Sequence, residues 1–423
     1  MSQTMKTEPT APHSPTGRQW PSTFAALRYH NYRLWFVGQA ISLMGTWMQI
    51  VAQGWLVYEM TGSEFALGAI TFAGSFPTLF LMLPAGALAD RFPRRRLLLI
   101  TQTMMMLCAF VLAALAAADI LHVWHVGVLA FVLGVANSFD APARQSLTVE
   151  MVEDRCDLVN AIAMNSLMFN LARVAGPAVA GFVLAAVGPT LCFTFNGLSF
   201  LAVLVALLMM RLPPITQKPQ TEPLATQIAA GLRYIWQSVP IRGIILLVGV
   251  SALFGLSYAT LMPAYAADVL RIGETGLGWM STSVGVGALA GSFTVASLGR
   301  FRRKGLFLTM GSFLFPGALL LFACSRYVPL SLVCLAVAGF GWVAQNATAN
   351  TLVQASVTDE LRGRVMGVYT LMFFGTSPFS ALLAGSLAQV LGPATAVLIG
   401  AGITLAFSVG LLLTAPALRR LEE

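Results

Sequence analysis

Apolar runs of about twenty residues alternate along the chain with short polar connections, the length an α-helix needs to cross some 30 Å of hydrocarbon. The runs fall at 34–58, 66–89, 97–118, 123–146, 161–187, 190–211, 241–267, 275–298, 306–324, 328–352, 364–390 and 393–414. They predict an all-α membrane protein of twelve transmembrane helices. Residues 1–33 are polar and rich in Pro, Ser and Thr, with no apolar core before a small-residue cleavage site, so a disordered tail is expected and the first span is retained. The longest connection, 212–240, opens on the breaker-rich LPPITQKPQTEP. It continues with Leu224, Ile228, Leu232, Ile235, Trp236 and Val239 at helical spacing. It predicts a surface-lying amphipathic helix that links 34–211 to 241–414, with 415–423 as a short second tail.

The two groups of six runs repeat one another. Ala180, Gly181, Gly188 and Pro189 return as Ala384, Gly385, Gly392 and Pro393, and Gly86 returns as Gly291. A basic loop follows the second run of each group: ADRFPRRRLLL at 89–99 and LGRFRRKGLFL at 298–308. The repeat predicts two pseudo-symmetric six-helix halves with a central cavity between them, an architecture that carries solutes by alternating access.

Composition bears this out and narrows it. The chain of 423 residues is 57% hydrophobic and 10% charged, against roughly 25% charged in soluble domains. The net charge of +8 does not point to nucleic acid, because the basic residues cluster at the ends of spans. All of the 25 except Arg173, Arg271 and Arg326 fall on the tails or on one set of alternate loops. The positive-inside rule then places both termini in the cytoplasm, for a multi-pass protein of a bacterial inner membrane. The five cysteines form no CxxC pair and read as small packing residues, so neither a metal nor a disulfide framework is expected. The three lysines give no GK[ST] and no histidine sits in a hydrolytic constellation, so no enzyme, no cofactor and no ATP-driven pump is expected.

Several polar residues lie where lipid would not solvate them. Gln39, Ser42, Thr46, Gln49 and Gln53 step by three and four along the first span, forming one stripe that either lines a hydrated cavity or packs by hydrogen bonds. Trp47, Trp55 and Tyr58 add aromatic surface, although Trp55 and Tyr58 also suit an interfacial anchor. Asp140 and Arg144, four apart near the basic end of span four, share a helix face within the hydrocarbon depth, as a coupling or gating pair or as a static salt bridge. Arg173, near the middle of span five on the face of Asn170 and Pro177, calls for an anionic substrate, an acid partner or a packing role. Asp90, at the end of span two, finds candidate partners in Arg94, Arg144 and Arg364, a latch for the cytoplasmic side.

The run Gly86-Ala-Leu-Ala-Asp90-Arg-Phe-Pro-Arg94-Arg resembles the signature loop between helices 2 and 3 of the major facilitator superfamily, with Pro93 where the pattern has glycine. Gly176-Pro177-x-x-Ala180-Gly181 resembles the core of that superfamily's antiporter motif in helix 5, which implies close helix packing. WLVYEMTGS at 55–63 and NSFDAPARQSL at 137–147 are similar to the branch holding enterobactin exporters and macrolide-efflux proteins. The resemblance implies a monomeric secondary transporter that exports a siderophore or drug-like small molecule through the lipid bilayer by antiport with protons. Proton-coupled uptake of a metabolite on the same scaffold is the alternative, and a non-transporting receptor or scaffold is a further one.

Overall fold

The computed structural model describes residues 22–152, 154–211, 232–297 and 304–414. Twelve long helices run in chain order through them. The first six are α1 (His30–Thr61), α2 (Glu64–Arg91), α3 (Arg94–Ala117), α4 (Val123–Met151), α5 (Arg155–Val187) and α6 (Pro189–Met209). The last six are α7 (Val239–Val269), α8 (Gly273–Ser297), α9 (Lys304–Cys324), α10 (Val328–Ser356), α11 (Asp359–Gly375 continued by Ser377–Leu391) and α12 (Pro393–Thr414). Eleven are long and apolar enough to cross a membrane. The twelfth, α8, is 25 residues long but diluted by glycine and serine, which it uses for packing.

Short turns fix the antiparallel order. Gly188 and Gly392 have φ of +79° and +83°, a region closed to most side chains, and each is followed by a proline at the first turn of the next helix. These are two of the repeated sequence positions, and they connect α5 to α6 and α11 to α12 in the same way. Ser63 caps α2 by accepting a hydrogen bond from the Ala66 amide at 3.2 Å.

Within the first six helices α1 packs on α5 and α6, α2 on α4, and α3 on α4 and α6. Within the last six, α8 packs on α10, and α9 on α10 and α12. The two sets meet where α2 lies against α11 and α5 against α8. Both seams are glycine contacts. A Cβ on Gly68 would stand 2.5 Å from the Ala381 carbonyl oxygen and 3.0 Å from the Gly385 Cα, and one on Gly278 would stand 2.9 Å from the Gly181 Cα. These pairs sit near the helix ends away from the basic loops.

The buried apolar residues follow the same division. Away from the basic end one continuous core spans both sets, joining Tyr58, Leu67 and Phe193 to Tyr265, Leu277 and Phe322. At the basic end it splits. Trp35, Leu98, Leu147 and Leu207 form one cluster in the first set, and Ile244, Leu308, Leu352 and Val365 another in the last set. The molecule is therefore closed at one end and divided at the other.

Two boundaries differ from the sequence reading. Residues Ser22–Arg28, expected in the disordered tail, form a 3-10 helix. It is held on α5 by the Ala26 amide donating to Asn160 Oδ1 at 3.0 Å and by an Arg28–Asp157 ion pair at 2.6 Å. The linker's residues 212–231 lie outside the described part. In the remainder Ile235 is buried while Leu232 and Trp236 are exposed, an amphipathic pattern continuing into α7.

A leucine at Gly68 would have to displace backbone, at a cost of about 1–3 kcal/mol for overpacking. Gly68→Leu is expected to open the closed end, raising thiol labelling of a Thr71→Cys reporter from that side by roughly tenfold or more. Gly402→Leu, where a side chain meets nothing within 4 Å, is expected to leave labelling unchanged.

Candidate functional site

The polar stripe of α1 lines a cavity. Gln39, Ser42, Thr46, Gln49 and Gln53 all border a space of about 540 Å³ lined by residues of α1 to α6, together with Asn137, Asp140, Arg144 and Asn196. Trp47, Met105, Phe169 and Phe200 supply its apolar wall. The volume lies in the range of sites for drug-sized molecules. A second space of about 550 Å³, towards the basic end, shares Gln39, Leu43, Arg144 and Phe169 and adds Gln145, Thr148, Asn165 and Asn170. A third, about 300 Å³, shares Ile50, Gly54, Leu67 and Thr71 with the first and reaches Thr260, Pro263 and Ser281 of the last six helices. The three spaces adjoin one another through these shared lining residues.

The stripe's members are held differently. Gln49 Oε1 accepts from Asn196 Nδ2 of α6 at 2.6 Å, a bond buried from solvent. The Thr46 hydroxyl donates to its own helix at the Ser42 carbonyl, 2.9 Å away. Gln39 is 3% exposed, and its Oε1 has no hydrogen-bond partner among the described residues. Asn170 donates to the Ser166 carbonyl at 2.8 Å and borders the second space.

Asp140 is the centre of the charge network. It is 1% exposed, and a carboxylate so placed costs several kcal/mol unless its oxygens are satisfied. Here they are. Oδ1 accepts from the Thr101 hydroxyl at 3.0 Å and from Gln102 Nε2 at 2.8 Å, both on α3, and Oδ2 faces Arg144 Nε at 3.6 Å. Sequence spacing foretells the Arg144 pairing; the α3 partners, 38 and 39 residues away, leave no local signal.

At the basic end, the candidate partners of Asp90, namely Arg94, Arg144 and Arg364, each have an interaction. Arg94 pairs with Glu150 at the end of α4 and donates to the Ser146 carbonyl at 3.3 Å, which joins α3 to α4. Arg144 is taken by Asp140. The side chain of Asp90 lies outside the described residues, as does the second basic loop up to residue 303, and Arg364 has an interaction of its own. Glu150 was missed because it reads from sequence as an ordinary helix-end acid.

The closed end holds a polar latch that sequence reading also missed. Tyr58 is 7% exposed and its hydroxyl donates to Asp268, so it bridges α1 and α7 instead of anchoring at the interface. Trp55 packs beside it against the shared core. Ser63 donates to Gln389 Oε1 at 2.6 Å, tying α11 to the α1–α2 turn. Asp268 sits in Tyr265–Val269, one of two π-helical segments of α7; the other is Ser251–Gly255. In the latter, Ser251 Oγ accepts from Gln345 of α10 at 2.9 Å. Such wide turns recur at functional positions of membrane helices.

The α5 motif residues serve two contacts. A Cβ on Gly176 would stand 2.5 Å from the Trp47 Cβ, so Gly176 admits α1, while Pro177 and Gly181 meet Gly278 of α8. Arg173, on the same helix face as Phe169 and Asn170 and one turn above them, is partly buried. It makes no ion pair and no hydrogen bond among the described residues.

Comparisons with known proteins agree with this architecture. Over 357 residues the chain is 27% identical to the multidrug efflux pump Tap of Mycolicibacterium fortuitum, covering 82% of this chain and 87% of that protein. Over 423 residues it is 28% identical to the enterobactin exporter EntS of Shigella boydii, covering 96% and 97%. Among solved structures the nucleoside transporter NupG superposes with a TM-score of 0.74 at 11% identity, over 92% of this chain and 99% of that one. A bacterial homologue of the iron transporter ferroportin in its inward-facing state superposes with a TM-score of 0.67 at 17% identity, over 92% and 98%. The family model of transmembrane secretion effectors matches residues 21–423. With that match across nearly its whole length, the chain belongs to the transmembrane secretion effector family of the major facilitator superfamily.

Proposed function

We propose that this multi-pass membrane protein exports a small amphipathic molecule, siderophore- or drug-like, in exchange for protons. The reading rests on one observation above the others: the polar stripe of α1 and the buried acid Asp140 border the same cavity of about 540 Å³. A solute in that cavity and a proton on Asp140 act within one compartment. The relatives named as a multidrug efflux pump and an enterobactin exporter support the outward direction. The concentration of basic residues at one end supports a cytoplasmic location for that end and for both termini, in a bacterial inner membrane.

In this reading the present form faces the cytoplasm, with the divided end open and the Tyr58–Asp268 and Ser63–Gln389 bonds holding the other end shut. A proton taken by Asp140 neutralises the carboxylate that holds Arg144, Thr101 and Gln102, and so loosens α4 from α3 in the wall of the cavity. The two six-helix groups rock about the glycine seams as rigid halves. Crossing ~150 mV, one proton releases about 3.5 kcal/mol, enough for a gradient of a few hundredfold in a neutral solute.

The test is uptake of a panel of dyes, antibiotics and catecholate compounds into everted membrane vesicles carrying the protein. Uptake that an uncoupler abolishes, and that Asp140→Asn reduces at least tenfold, is the expected result. Uptake unaffected by the uncoupler sinks the proton-exchange reading, and accumulation of a metabolite in right-side-out vesicles under the same gradient reverses the direction.

The stripe separates positions that hold the fold from positions that face the solute. Gln49→Leu strands the Asn196 amide and is expected to cost about 1–3 kcal/mol, read as a lower Tm of the purified protein. Gln53→Leu breaks no hydrogen bond found among the described residues. It is expected to leave Tm unchanged and to alter the KM for transported compounds several-fold.

A further inference from the structure

Among the described residues, Arg173 carries a charge deep within a span for which no ion pair or hydrogen bond is found. It lies 14 residues from the end of α5 at Val187 and 18 from its start at Arg155, so roughly 20 Å or more of helix separates it from either end. That is within the hydrocarbon depth, where an isolated cation is costly and points to a function. Its helix is pressed against α8 at this level. The Thr282 hydroxyl donates to the Val174 carbonyl at 3.3 Å, and a Cβ on Gly285 would stand 2.9 Å from the Arg173 carbonyl oxygen. The missing side chain at Gly285 lets the α8 backbone approach that of α5 here. The Tyr258 phenol of α7 is its electrostatic neighbour, without a hydrogen bond between them.

The guanidinium donors have no partner among the described residues, yet none of its nitrogens is a sealed, unsatisfied atom. The side chain keeps some accessible surface, although Arg173 is not among the residues that line the three spaces. Phe169 and Asn170, four and three residues earlier on the same face, border the cavities.

A resident acid is not available to close the charge. Of the 17 acidic residues, Asp140 alone lies well inside a span; the others fall on connections, on tails or in the terminal turns of helices. Asp140 is already shared by Arg144, Thr101 and Gln102. Spans α7 to α12, which face Arg173 across the seam, hold no acid between their terminal turns. The counter-ion must therefore arrive from solution, and a guanidinium fork is suited to a planar oxyanion.

We propose that Arg173 is the subsite for an oxyanionic group of the exported molecule, so that the preferred substrates are amphipathic organic anions such as carboxylates, sulfonates or phenolates. The proposal builds on the export reading for the occupant of the cavity. It is tested with matched fluorescent probes, one a sulfonated anion and the other a cation of similar apolar size, against wild type, Arg173→Gln and Arg173→Lys. In everted vesicles Arg173→Gln is expected to reduce anion uptake tenfold or more and to change cation uptake less than twofold, with Arg173→Lys in between. Binding of the same probes to purified protein, followed by fluorescence polarisation, gives a readout that needs no transport. There the anion's Kd is expected to rise at least tenfold in Arg173→Gln at unchanged Tm. Equal loss for both probes, or unchanged anion binding, overturns the anion subsite even where export itself is intact. Selective loss of anion binding upholds it even where no vesicle uptake is seen and the export reading fails.

Discussion

Backbone contact between helices at Gly68–Gly385 and Gly181–Gly278 is the constraint on which the rest of the structure depends. In hydrocarbon there is no hydrophobic force to press one helix on another, because lipid tails are as apolar as leucine. Association has to come from close packing and from polar bonds, and glycine provides the first by removing the side chain that would hold two helices apart. At the glycine contacts themselves the backbones meet directly, and the shared core of large side chains packs around them at the same end. The continuous core at that end and the two separate cores at the other follow from where the seams lie.

Polar bonds supply the second term, and they differ in kind between the two levels of the molecule. Inside the first six helices they are buried: Asn196 to Gln49, and Thr101 and Gln102 to Asp140. Across the closed end they are few and link side chains at helix termini, as in Tyr58 to Asp268 and Ser63 to Gln389. A bond of the second kind contributes about 0.5–1.5 kcal/mol, or roughly 1.5–3 when one partner is charged, small enough to be broken by solute binding or protonation. The π-helical turns of α7 place Asp268 and Ser251 at their bonds, so the same helix serves the latch at one level and the α10 contact at another.

What was legible in the sequence has a local physical cause. Span positions follow from hydropathy over twenty residues, and α8 was found despite its glycine content because its length matched its neighbours. The α1 stripe and the Asp140–Arg144 pair follow from the helical repeat, since residues three or four apart share a face wherever the helix goes. Pairings across the fold have no such cause. Gln49 and Asn196 are 147 residues apart and Tyr58 and Asp268 are 210 apart, and no spacing rule reaches that far. Tyr58 misled for a further reason: an aromatic hydroxyl near a span end has the same sequence appearance whether it meets headgroups or a buried acid. Arg94 pairs with Glu150 because α3 packs on α4, a contact that no local spacing signals.

Asp140 and Arg173 make opposite demands, and the difference bears on how transport is driven. Asp140 is a charge whose partners are built in, so protonation changes bonds within the protein. Arg173 is a charge whose partner is missing, so occupancy of the site changes the electrostatics of the seam. If the exported molecule carries one negative charge, as the proposed subsite requires, its exit and a proton's entry both move charge down an inside-negative potential. A one-for-one exchange then transfers two elementary charges, worth about 7 kcal/mol at ~150 mV against about 3.5 for a neutral solute. That difference raises the attainable gradient from a few hundredfold to roughly 10⁵-fold. An unpaired arginine in the seam is costly to the fold, and under the two proposals together it would select the class of solute whose charge makes a proton exchange most effective.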